Sequence, residues 1–90
     1  MSMTLYASNL PLAATEDNLS SRFAKFGGVL SVRLEHDAAG SRRRSAFIEM
    51  ENAAGAQRAI NGLNLSSFDG RLMSVYAAVM PIVKMLGNAT

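Results

Sequence analysis

Cysteine is absent from this 90-residue chain, which excludes disulfides and thiolate metal sites. Histidine occurs once, at His36. A lone imidazole beside Asp37, with no thiol and no second histidine, reads as structural and not as half of an acid-base pair. Long apolar runs are missing as well: the longest nearly uncharged stretch, Leu72 to Ile82, is broken by Ser74 and Pro81 and falls far short of a bilayer span. The N-terminus lacks the basic start and apolar stretch of a secretory signal, so the expectation is a cytoplasmic protein with no membrane partner. No phosphate loop, paired-carboxylate cleft or metal-ligand spacing occurs. The expectation is therefore a protein that is not an enzyme and takes no cofactor or metal.

Charge of one sign is also scarce, with a net value of +2, but its distribution is uneven. Arg42, Arg43 and Arg44 are contiguous and lead into Ser45-Ala46-Phe47-Ile48-Glu49-Met50. There apolar Ala46, Ile48 and Met50 alternate with Ser45, Phe47 and Glu49 at a period of two, the pattern of a strand with one face in the core. The other face then carries an aromatic ring beside cations, an arrangement suited to a flexible anionic strand with bases to stack. Near the N-terminus Leu5-Tyr6-Ala7-Ser8-Asn9-Leu10 repeats it, with Leu5 and Ala7 inward and Tyr6 and Ser8 outward.

The remaining elements follow in order. Pro11 turns the chain, and Thr15 is placed to cap a helix whose first turn carries Glu16 and Asp17 and whose apolar stripe is Leu19, Phe23 and Phe26. Gly27 and Gly28 read as its terminator. A second strand spans Val29 to Glu35, with Leu30, Val32 and Leu34 expected inward and Ser31, Arg33 and Glu35 outward. A polar loop turned by Gly40 leads to the arginine-flanked strand. Asn52 is a cap for a second helix from Ala53 to about Gly62, which buries Ala56, Ala59, Ile60 and Leu63. Phe68-Asp69-Gly70-Arg71 is a turn, and the last strand sets Met73 and Val75 inward against Leu72, Ser74 and Tyr76. The order strand, helix, strand, strand, helix, strand predicts an α+β, ferredoxin-like βαββαβ sandwich. It has a four-stranded antiparallel sheet, both helices on one face and the other face open. One domain is expected over residues 1–78, followed by a tail over 79–90.

The first strand and the arginine-flanked octamer resemble the two signature segments of the RNA recognition motif, whose octamer reads basic, Gly, aromatic, Gly or Ala, aromatic, aliphatic, any, aromatic. Asn9-Leu10-Pro11, Phe23 with Phe26-Gly27, Asp37 with Gly40, Ala59-Ile60 with Leu63-Asn64, and Asp69-Gly70-Arg71 before Met73 and Val75 extend the resemblance over residues 3 to 78. It implies that Tyr6 and Phe47 stack under successive bases and that Arg43 reaches phosphates. The chain departs from the pattern at Arg44, where the family has glycine, and at Ser45, where it has a ring that packs on sugars. Met50 replaces the final aromatic, on the core side. Losing the ring at position 45 should cost about 1–3 kcal/mol of binding, and restoring one there should tighten it.

The expected partner is single-stranded RNA, with single-stranded DNA as a second candidate, bound with modest affinity and specificity. The candidate contacts are Tyr6, Ser8, Asn9, Arg33, Arg42, Arg43, Arg44, Ser45, Phe47, Glu49, Ser74 and Tyr76. Several keep two readings. Tyr76 either extends the ring platform or anchors the tail, Arg42 to Arg44 either meet phosphates or are solvated, and Glu49 either accepts from a base amino group or is a solvated charge. In the tail, Pro81 opens a possible short helix with Ile82, Met85 and Leu86 on one side. It would cover the sheet, mediate weak self-association of an otherwise monomeric protein, or stay loose. The rival function is a protein-interaction module of the same fold, using the open sheet or the apolar tail.

Overall fold

Local capping and strand alternation account for most of the architecture. The computed structural model of the chain describes residues 2–36 and 43–78, with the backbone alone at His36 and Arg43. Arg42, the turn at Gly40 and the tail over 79–90 lie outside the described residues. The elements are β1 (Met3–Pro11), α1 (Glu16–Ala24), β2 (Val29–His36), β3 (Arg43–Met50), α2 (Ala53–Leu63), β4 (Ser66–Phe68) and β5 (Arg71–Ala77). Thr15 caps α1, its side chain accepting from the Asn18 amide at 3.1 Å. Asn52 caps α2 in the same way, from the Gly55 amide at 2.8 Å.

All strand pairs are antiparallel, in the order β2-β3-β1-β5-β4. The inward residues close the core as their alternation predicts. Leu5, Ala7 and Leu10 of β1, Ala46, Ile48 and Met50 of β3, and Met73 and Val75 of β5 are buried beneath Leu19 and Phe23 of α1 and Ala56, Ala59 and Leu63 of α2. The helices thus cover one face and leave the other to the outward residues.

Four features differ from the sequence reading. A fifth strand, β4, forms a hairpin with β5 through Asp69 and Gly70, whose φ values of 50° and 85° suit the two-residue turn that an Asp-Gly pair favours. Phe68 is therefore a buried strand residue and not part of a loop, and the Arg22 guanidinium lies 3.8 Å from its ring centre. Leu30 is 54% exposed instead of inward. The β2–β3 register shifts between Val29, opposite Met50, and Ser31, opposite Glu49, so Leu30 is the extra residue of a bulge and Val29 takes the core position.

The third difference concerns how α1 ends. The helix stops at Ala24, and its cap residue, Lys25, has an ordinary right-handed conformation. Gly27 serves close packing: a Cβ there would lie 3.1 Å from the Gly55 Cα, where α2 approaches the loop. The fourth is a bulge in β1. Ala7 pairs with Ala46 and Leu10 with Arg44, so Ser8 and Asn9 together face Ser45, with Asn9 at φ 61°.

Candidate functional site

Register arranges the open face in cross-strand rows. Tyr6 of β1 pairs with Phe47 of β3 on one side and with Tyr76 of β5 on the other. The ring centres stand 5.0 Å apart for Tyr6 and Phe47 and 5.4 Å for Tyr6 and Tyr76, tilted by 54° and 56°. These tilted contacts hold the rings against one another. Tyr76 is 51% exposed. It belongs to the ring row, so the platform has three members; contact with the tail lies outside the described residues.

The ring row continues onto β2, where Arg33 pairs with Phe47 and holds its guanidinium carbon 5.2 Å from the ring centre. Arg33 also meets the Glu35 carboxylate at 3.1 Å, with both side chains well exposed. Such a pair contributes at most about 1 kcal/mol and opens readily to a competing anion.

A second row runs Thr4, Glu49, Ser31 across β1, β3 and β2. Ser2 donates to Glu49 Oε2 at 3.1 Å, and Ser31 donates to Oε1 at 3.5 Å. The two rows enclose an open depression of about 440 Å³ lined by Thr4, Ser31, Arg33, Phe47 and Glu49. Thr4 and Ser31 were not among the sequence candidates, although each is the cross-strand neighbour of a residue that was. The missing signal was the register. Among the described residues no three of His, Cys, Asp and Glu are grouped to hold a metal ion.

The third row lies at the entrance of β3, where the candidates are placed differently. Ser8 pairs with Ser74 across β1 and β5, and both are half-buried. Asn9 is drawn into the fold: its Nδ2 donates to the Leu72 carbonyl at 2.8 Å, and Arg71 donates to its Oδ1 at 3.0 Å. Ser45, paired with Glu35 and facing the β1 bulge, is only 2% exposed, so it offers no open surface to sugars. Arg44 shares its strand parity with Ala46 and so points to the helix side, where Nη1 donates to the Ala14 carbonyl at 3.0 Å. The backbone of Arg43 starts β3 opposite Pro11.

Comparison with known proteins adds an independent finding. The model of one family, the RNA recognition motif, matches residues 5–74. The chain is 35% identical over 77 residues to the putative RNA-binding protein RbpE of Nostoc sp., covering 84% of this chain and 78% of that protein. It is also 35% identical over 71 residues to RNA-binding protein 28 of Homo sapiens, where the match takes in 79% of this chain but spans only 9% of the human protein. Among solved structures, the C-terminal RRM domain of MEC-8 bound to AGCACA superposes with a TM-score of 0.70 at 25% identity, covering 89% of this chain and 94% of that one.

Proposed function

Because this chain belongs to the RNA recognition motif family, we propose that it binds single-stranded RNA across the open face of its sheet without catalysing a reaction on it. One base stacks on Phe47 and the next on Tyr6, with Tyr76 extending the platform to a third. The observation that carries this reading is the ring row itself: three aromatic side chains in register on the face the helices leave uncovered. The RNA-bound MEC-8 domain and the name of the Nostoc relative support it. Arg33, whose exposed pair with Glu35 opens at little cost, is the described arginine best placed for a phosphate. Arg44 instead braces the loop before α1 through Ala14.

Tyr6→Ala and Phe47→Ala should each weaken binding of a mixed single-stranded RNA pool by about 1–3 kcal/mol, since each removes stacking surface from an exposed face. Fluorescence anisotropy measures the affinity, and amide NMR shifts clustered on residues 4–8, 31–33, 45–49 and 74–77 locate it. Unchanged affinity in both variants would remove the stacking assignment and favour a protein-interaction module.

A further inference from the structure

We infer that the depression beside Phe47 reads guanine, with Glu49 as the group that determines specificity. This rests on the RNA reading above. A carboxylate on a surface that meets a polyanion weakens binding unless it finds donors on the ligand. Glu49 is neither loose nor spent. Ser31 and Ser2 each occupy one site on a different oxygen, at 3.5 and 3.1 Å, and an ionised carboxylate has about four such sites. Each oxygen therefore retains acceptor capacity, with Ser2 the nearer of its two hydroxyl neighbours.

Its distance from the ring suits a base edge. Phe47 and Glu49 are two residues apart on one strand, so their side chains emerge on the same face about 7 Å apart. A base stacked on Phe47 then directs its edge at the carboxylate. Guanine alone presents two adjacent parallel donors there, the N1 imino and N2 amino groups, which match the two oxygens. Adenine and cytosine set a ring-nitrogen lone pair beside their amino donor, and uracil has one imino donor between two carbonyls. Each of these turns at least one lone pair toward a carboxylate oxygen.

The test is fluorescence anisotropy with labelled octamers of uridine in which no residue, or one central residue, is replaced by guanosine, adenosine or cytidine. The guanosine octamer should bind about fivefold or more tightly than all-uridine, the scale of one good bidentate contact, with the adenosine and cytidine octamers gaining less than about twofold. In Glu49→Gln, which replaces one acceptor oxygen with a donor, the guanosine advantage should fall to within about twofold. Equal affinity of the unaltered protein for guanosine and uridine octamers, with both weakened by Phe47→Ala, would overturn the guanine site and leave the RNA reading standing. An advantage that survives Glu49→Gln would overturn the role given to Glu49. Binding of none of the four octamers would overturn the RNA reading and this inference together.

Discussion

The two halves of β3 follow the same alternation and meet different fates. In the second half Phe47 and Glu49 have direct partners on both sides, Tyr6 and Arg33 for one, Thr4 and Ser31 for the other, and although β2 bulges beside Ser31 their side chains border an open depression. In the first half Ser45 faces a bulge in β1, is almost fully buried, and is preceded by Arg44, whose guanidinium lies on the helix side and is bonded to the backbone before α1. Alternation decides which face a side chain takes, whereas what is packed across from it decides whether that face is accessible. Of the arginine run, Arg44 is therefore held by the fold on the helix side and not on the open face.

Ser45→Phe breaks the comparison most sharply. From the sequence, a ring there enlarges the platform and tightens binding. In the structure the position is closed, so the ring should instead overpack it and lower stability by about 1–3 kcal/mol, with no gain in affinity. Urea denaturation and anisotropy on the same protein decide this, and a stable variant that binds RNA more tightly would show that the site accommodates a ring.

The next effect separates the two arginines. Arg44→Met keeps the aliphatic stem but leaves the Ala14 carbonyl without its charged donor, and should cost about 1–2 kcal/mol of stability while leaving the salt dependence of RNA binding as it was. Arg33→Gln should do the reverse. Its ion pair is exposed, so stability changes by less than about 0.5 kcal/mol, while the slope of log affinity against log salt flattens by about 0.7 for one lost phosphate contact. Equal slope changes in both variants would erase the distinction. The smallest effect belongs to Leu30→Ser, which at an exposed bulge position should change stability by no more than about 0.5 kcal/mol, against the several expected of an inward leucine. A thermal midpoint lowered by more than a few degrees would mean that Leu30 packs against the core after all.

The sequence by itself determined what depends on near neighbours along the chain. The caps at Thr15 and Asn52, the Asp69-Gly70 turn, the inward set Leu5, Ala7, Ala46, Ile48, Met50, Met73 and Val75, and the outward rings Tyr6, Phe47 and Tyr76 all follow from spacing. Local backbone geometry enforces those periods wherever the segment ends up. Only the tertiary structure decided the bulges at Ser8-Asn9 and at Leu30, the use of Asn9 as a tie between β1 and β5, the closure of Ser45, the bond from Arg44 to Ala14, and the row that sets Thr4 and Ser31 beside Glu49. Each of these depends on which residue of one strand lies opposite which residue of another. A single inserted residue changes that pairing, and with it the face and the exposure of a side chain, without altering the pattern that a strand shows on its own.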